Sequence, residues 1–149
     1  MRDLTIQTAR VDRFVDIQLE PNGDLKLLPN GDLALDDDID AVEQAIRWRL
    51  LTELGSWYLE PECGSEILSF AGRPNSPETA QLVESEIYRA LSHDGFIMPD
   101  EIEIHTAPLD ASRMTVILMV REALGVERAA FQFELNLISG ELTGWQRIA

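Results

Sequence analysis

The final third of the chain contains three apolar patterns that are buried only if this region forms a β-sheet. Residues 101–106 alternate apolar and polar side chains, which is typical of a strand with one exposed face. The apolar run MTVILMV at residues 114–120 predicts a second strand that is covered on both faces. Phe131, Phe133 and Leu135 alternate with polar residues and predict a third strand. We therefore expect a mainly antiparallel C-terminal sheet of about three strands.

A short internal repeat near the N-terminus predicts a β meander. The pentapeptide Pro-Asn-Gly-Asp-Leu begins at residue 21 and again at residue 29. Asn-Gly is a strong signal for a two-residue hairpin turn because both positions tolerate positive φ angles. We expect strands near residues 14–19, 24–28 and 32–35, preceded by an N-terminal arm over residues 1–13.

Two amphipathic helices are predicted between the meander and the sheet. Apolar residues recur at helical spacing over residues 39–54, and Gly55 is placed to end this helix in the left-handed conformation. The sequence Ser-Pro-Glu at residues 76–78 supplies a cap, a proline at the first helical position and an acid. This order predicts an α+β fold in which two main helices pack on the C-terminal sheet, as one domain over residues 14–149.

The charge balance of the chain limits its partners. There are 27 acidic residues against 12 lysines and arginines, which gives a formal net charge of −15. A surface of this sign repels phosphates, so neither nucleic acid nor an anionic membrane is expected as a partner. With Cys63 as its only cysteine the chain forms no internal disulfide, and it has no apolar stretch of 18 residues. We expect the protein to be made in the cytoplasm.

The sequence offers few candidates for catalysis or metal binding. The acidic run at residues 36–40 lacks the glycine and the closing glutamate of a calcium loop. Glu60 and Glu62 are close enough in sequence to suggest a glycosidase, which needs two carboxylates in different environments. An exposed turn that carries solvated charge explains the same pair. We predict no catalytic residue, no metal, no cofactor and no small-molecule substrate.

The most specific stretch lies in and after the first helix. It combines Gly-Asp-Leu at residues 31–33, the helical segment QAIRWRLLT at residues 44–52 and the loop LGSWYLEPECGS at residues 54–65. This stretch closely resembles the baseplate wedge family of contractile phage tails, also called the sheath initiator family, some of whose members are labelled lysozyme-like. The matching positions are Gly31, Asp32, Leu33, Gln44, Ile46, Arg49, Leu50, Thr52, Gly55, Trp57, Tyr58, Pro61 and Gly64.

The resemblance implies a structural role in an assembly. It implies six copies around a tube, which contact wedge proteins on one side and the first sheath ring on the other, with tube or hub proteins as further partners. The family's domain is similar to the strand-exchange part of the sheath protein, which implies that the first ring grows by β-augmentation. Ser56 stands where the family usually has Glu. Residues 95–100 lack the Glu-Pro-Arg triplet of many members, which leaves the partner at that position open.

Candidate interface residues follow from the resemblance and from the predicted sheet. Strands near residues 101–106 and 129–137 could leave an open edge that accepts a strand from another chain. A buried Arg49 needs carboxylate or carbonyl partners, and Trp57 is either an aromatic plug beneath the first helix or part of an interface. The full set of interface or family-motif residues is Gln44, Arg49, Thr52, Gly55, Trp57, Pro61, Gly64, Phe131, Phe133 and Leu135.

We therefore predict a structural component of the baseplate of a phage tail or tail-like injection particle. In this hypothesis it links wedge proteins to the first sheath ring and nucleates sheath assembly. One alternative is an acidic adaptor that binds a basic partner. Another is a peptidoglycan glycosidase that uses Glu60 and Glu62. Residues 138–149 form either a last strand or a tail.

Overall fold

The computed structural model describes residues 15–123 and 126–148 of the chain. Its main elements are β1 (Val15–Ile17), β2 (Leu35–Asp37), α1 (Asp38–Leu51), α2 (Pro77–Ser92), β3 (Ile102–Pro108), β4 (Arg113–Ala123), β5 (Val126–Asn136) and β6 (Leu142–Arg147). Short 3-10 turns lie at Ile67–Phe70, His93–Gly95 and Pro99–Glu101. The predicted α+β class is confirmed, and the predicted arm over residues 1–13 lies outside the described residues.

The C-terminal region forms a four-stranded antiparallel sheet in the order β3-β4-β5-β6. Its strands follow one another in sequence, so the connections between neighbours are hairpins. The sheet has one strand more than the three that apolar periodicity indicated, because residues 142–147 pair with β5. Of the two alternatives for the C-terminus, the structure therefore shows a last strand.

The core lies between the two helices and one face of this sheet. Val42 and Ile46 of α1 and Val83 and Ile87 of α2 are fully buried there. From the sheet, the core receives Met114, Val116, Leu118, Val120, Phe131, Phe133 and Leu135. The opposite face of β4 is only partly buried at residues 115, 117 and 119. The prediction that both faces of β4 are covered is therefore wrong, because the helices pack on one side of the sheet alone.

The N-terminal repeat forms two similar turns. Gly23 and Gly31 both have φ +90°, and in each turn the preceding Asn side chain donates to the following Asp, at 2.7 and 2.9 Å. Single bridges flank the turns, and the longer pairing joins β1 to β2. The predicted turns are confirmed, whereas the predicted strands at 24–28 and 32–35 are reduced to isolated bridges.

The helix boundaries agree with the capping signals at α2 but not at the end of α1. The Ser76 side chain accepts from the Thr79 N–H at 3.3 Å, with Pro77 as the first helical residue, as predicted. α1 ends at Leu51, so the prediction that Gly55 terminates it is wrong. Gly55 does have φ +85°, but within the following loop. None of the described helices combines the length and the apolar composition that a membrane span requires.

Candidate functional site

Gln44 holds the N-terminal segment against α1. Its side-chain oxygen accepts from the Leu19 N–H at 2.8 Å, and its amide nitrogen donates to the Ile17 carbonyl at 2.7 Å. The Gln44 side-chain amide therefore makes the two backbone hydrogen bonds, to Ile17 and to Leu19, that a neighbouring strand would make. These two hydrogen bonds fix the β1 segment on the helix.

Arg49 joins α1 to the C-terminal end of α2. Its guanidinium donates to the carbonyls of Ala90 and His93 at 3.4 and 3.3 Å and to the Asp94 carboxylate at 3.0 Å. It also stacks on the Phe96 ring, 4.1 Å from the ring centre. The predicted need of this side chain for carbonyl and carboxylate partners is confirmed. Positive charge near a helix C-terminus also interacts favourably with the helix dipole.

Thr52 and Gly64 close the base of a loop that spans residues 52–66, which we call the wedge loop. The Ser65 N–H donates to the Thr52 carbonyl at 2.8 Å, and the Leu54 N–H donates back to the Ser65 carbonyl at 3.0 Å. Gly64 has φ +121°, and a Cβ atom placed on it would lie 2.5 Å from the Thr52 oxygen. Arg89 of α2 donates to the Gly64 carbonyl at 2.9 Å. Only glycine permits this close approach.

The tip of the wedge loop points into solvent. Trp57 is 49% exposed, Tyr58 91% and Leu59 80%. The interpretation of Trp57 as an aromatic plug beneath α1 is therefore wrong. The core beneath α1 needs no plug from Trp57, because it is filled by Ile67 and Phe70 from the turn that follows the loop, in the same cluster as Leu50.

Glu60 and Glu62 are placed differently with respect to one surface depression. Glu62 lines it together with Arg89 and His93, whereas Glu60 is not part of the lining and lies beside it, 3.7 Å from His93 Nε2. A glycosidase holds both carboxylates around the same scissile bond. The geometry of this pair therefore gives the glycosidase alternative no support.

One cluster of the described residues brings three potential metal-ligand atoms together. Glu60, His93 and Asp94 each offer an atom within 4.8 Å of the others. The Arg49 guanidinium already lies 3.0 Å from Asp94, however. A cation bound there would face a fixed positive charge at short range, so the chemistry of this donor set does not favour a metal ion.

Phe131, Phe133 and Leu135 lie in the core and not at an interface. All three are 0% exposed, and their strand β5 lies between β4 and β6. The Phe133 ring also stacks on Trp145 of β6 at 4.2 Å. The expectation that residues 129–137 leave an open edge is therefore wrong, because β6 takes the position beside them.

The open edges of the sheet are β3 and β6, and they differ in regularity. The β5–β6 register shifts between Gln132 and Glu134, and Gly144 within β6 has φ +66°. Bulges of this kind bend an edge strand away from further pairing. β3 pairs with β4 over all seven of its residues without a shift. β3 is thus the edge better suited to receive another strand.

The hairpin that joins β3 to β4 fixes which groups of β3 face outward. The Leu109 N–H donates to the Arg113 carbonyl at 2.9 Å, and the register continues unbroken along β3. Bonded and non-bonded pairs alternate in an antiparallel ladder, so the N–H groups of Ile104 and Thr106 point away from β4. The backbone nitrogen of Pro108 also points away from β4, so a proline at this position removes no hydrogen bond between β3 and β4.

A groove between α2 and β3 borders this edge. Thr106 Oγ1 donates to Glu84 Oε1 at 2.6 Å, which ties the strand to the helix. On the other face of the sheet, contacts of Glu103 with His105 and then Arg121 hold the pKa of Glu103 below its ordinary value. The groove is lined by Glu84, Ser85, Tyr88, Ile102, Glu103 and Ile104.

Comparison with known families identifies the N-terminal half of this arrangement. A family model described as contractile injection system sheath initiator matches residues 15–97, more than half of the chain. The match includes β1, β2, α1, the wedge loop and α2. No curated protein gives a significant match. The chain therefore belongs to the sheath initiator family of contractile injection systems.

Proposed function

We propose that this chain is a structural baseplate component that nucleates the first sheath ring by accepting a sheath strand at β3. In this proposal residues 14–149 act as one wedge domain, and residues 1–13 form an arm. Six copies surround the tube and link wedge proteins, with tube or hub proteins as further neighbours, to the sheath. The particle is a phage tail or a tail-like injection system, and the protein joins it after synthesis in the cytoplasm.

The unpaired, regular edge of β3 is the observation that supports strand addition most directly. The outward N–H groups of Ile104 and Thr106, with their carbonyls, form a template for the main chain of a partner. Among the described residues, nothing in the sheet pairs with this side of β3. An added strand extends the sheet from four strands to five.

The groove beside β3 indicates which side chains the incoming strand carries. Ile102 and Ile104 give the groove an apolar lining with Glu84 as its acidic residue, whereas the Glu103 side chain lies on the opposite face of the sheet, beside His105 and Arg121. An added strand places alternate side chains on the groove side, and opposite charges on neighbouring strands stabilise the pair. We therefore expect a sheath segment in which apolar residues alternate with lysine or arginine.

The family-motif residues position these surfaces. Gln44 and Arg49 hold α1 against the N-terminal segment and α2, and Thr52 and Gly64 close the wedge loop. Gly55 and Pro61 bond to each other across that loop, with the Gly55 N–H donating to the Pro61 carbonyl at 2.8 Å. In the proposal they set the shape of the domain, while partners contact its sheet edge and its loop.

Thr106→Pro tests the proposal. It removes an outward N–H group and adds a ring on the free side of β3, so the monomer folds but cannot accept a strand. Thr106→Val is the matched control, because it loses the hydrogen bond to Glu84 and keeps the N–H group. We expect both variants to lower the free energy of unfolding by about 1 kcal/mol. Electron microscopy of particles from producing cells should show sheaths with Thr106→Val and none with Thr106→Pro.

His105→Pro changes the side of β3 that pairs with β4 and leaves the open edge of the strand unchanged. The His105 N–H points towards β4, so proline there breaks a ladder bond and lowers the free energy of unfolding by about 1–3 kcal/mol more than Thr106→Pro does. Normal sheaths on Thr106→Pro particles would contradict strand addition at β3. If the chain then bound its partner in a strongly salt-dependent way, the acidic adaptor would be the better explanation.

A further inference from the structure

The tip of the wedge loop exposes three consecutive apolar side chains. Trp57, Tyr58 and Leu59 are 49%, 91% and 80% exposed, and we call them the knob. Single exposed apolar residues are normal on protein surfaces, whereas a contiguous group marks an interaction site. Aromatic side chains are also the residues that contribute most to protein interfaces.

Hydrogen bonds within the loop hold the main chain of the knob in one conformation without a partner. The Gly55 N–H donates to the Pro61 carbonyl at 2.8 Å, and the Glu60 N–H donates to the Trp57 carbonyl at 3.2 Å. The Cys63 N–H donates to the Glu60 carbonyl at 3.0 Å, above the closed base of the loop. Little conformational entropy is lost when a surface held in this way is bound. The knob is therefore prepared for docking.

The charges around the knob define the chemistry of its partner. The wedge loop carries Glu53, Glu60, Glu62 and Glu66, and no lysine or arginine. Burying the knob brings Glu60 and Glu62, which follow it directly in the loop, to the rim of the contact, where a second copy of this acidic chain, or an anionic membrane, would repel them. A rim of lysine or arginine would attract them and steer association.

We infer that the knob inserts into an apolar pocket with a basic rim on another baseplate protein. This inference rests on the proposed function, because it assigns the contact on the baseplate side and leaves β3 for the sheath. The residues of the two surfaces differ, since the groove beside β3 contains none of the wedge loop. One copy therefore offers a separate surface to each partner.

The test replaces the chain in producing cells with the double variant Tyr58→Ser/Leu59→Ser. Both side chains are exposed, so the free energy of unfolding should not change. Loss of two central apolar contacts weakens binding by at least about 30-fold, so the variant should be absent from purified particles by immunoblot. Ile138→Ser is the control, because Ile138 is 74% exposed and lies outside the wedge loop. It should be incorporated normally.

The companion variants separate the two claims. Thr106→Pro should leave the chain in the particles and remove the sheath, whereas the knob variant should remove the chain itself. Glu60→Gln/Glu62→Gln should be released from particles at lower salt than the wild type. Retention of the knob variant at the wild-type level, with or without a sheath, overturns the docking assignment. A wild-type chain absent from sheathed particles overturns the proposed function together with it.

Discussion

Gly64 and Gly55 should respond very differently to the same substitution. Both have positive φ angles, +121° and +85°. An added Cβ at Gly55 meets nothing within 4 Å, whereas at Gly64 it lies 2.5 Å from the Thr52 oxygen. Gly55→Ala therefore measures the backbone conformation alone, and Gly64→Ala measures the conformation together with the close approach at the base of the wedge loop.

The magnitudes follow from these contacts. An L side chain in the left-handed region costs about 1–2 kcal/mol, which reduced freedom of the unfolded chain offsets in part, so we expect about 1 kcal/mol for Gly55→Ala. Gly64→Ala adds about 1–3 kcal/mol of overpacking. It also adds about 1 kcal/mol if the hydrogen bond from Ser65 to Thr52, 2.8 Å long, is lost. The total for Gly64→Ala is about 4 kcal/mol.

Urea unfolding followed by tryptophan fluorescence measures the difference. A gap of about 3 kcal/mol between the two variants corresponds to about 2 M in the urea midpoint, for a slope of about 1.5 kcal/mol per M. The slopes of the two variants should agree. If both variants unfolded at the same midpoint, the tight contact between Gly64 and Thr52 would not exist as described, and the loop geometry would need revision.

Two further predictions concern the first helix. Arg49→Lys loses the contacts that Nη1 makes at the end of α2 and the stacking of the guanidinium on Phe96, so the free energy of unfolding should fall by about 2 kcal/mol and the melting temperature by about 6 °C. Arg73→Lys, at an exposed guanidinium 5.6 Å from the Phe70 ring centre, should change little. Burial raises the pKa of Glu43 above 4.5, so the ionised form is disfavoured in the folded state at neutral pH. Glu43→Gln should therefore raise the urea midpoint at pH 7 and not at pH 3, where the carboxyl is protonated in both states.

Local signals in the sequence predicted the elements well. Ser-Pro-Glu at residues 76–78 predicts the start of α2, because a cap and an N-terminal proline act within one turn. Alternation predicts β3 and β5, since one face of each strand packs against the helices. The sequence predicted that Arg49 would bind carbonyl or carboxylate groups, although not which ones, because a buried guanidinium requires acceptors.

Tertiary context decided what the sequence left open. Residues 142–147 form a strand because they pair with β5 and because Trp145 stacks on Phe133. The sequence LTGWQR has no apolar alternation that would predict this strand. That single strand moved the open edge away from β5. The exposed Tyr58 and Leu59 were missed as a site because apolar residues predict burial. The signal that could have found them is their place between Gly55 and Pro61, in a loop too tightly closed to reach the core.

The structure of the junction between baseplate and first sheath ring tests the central claim most directly. Electron cryo-microscopy of assembled particles should show a sheath segment about 4.8 Å from β3, bonded to the backbone of Ile104 and Thr106. Its side chains on the groove side should be apolar or basic. A sheath segment paired with β6, or a sheath ring that contacts this chain without any added strand, would contradict the account.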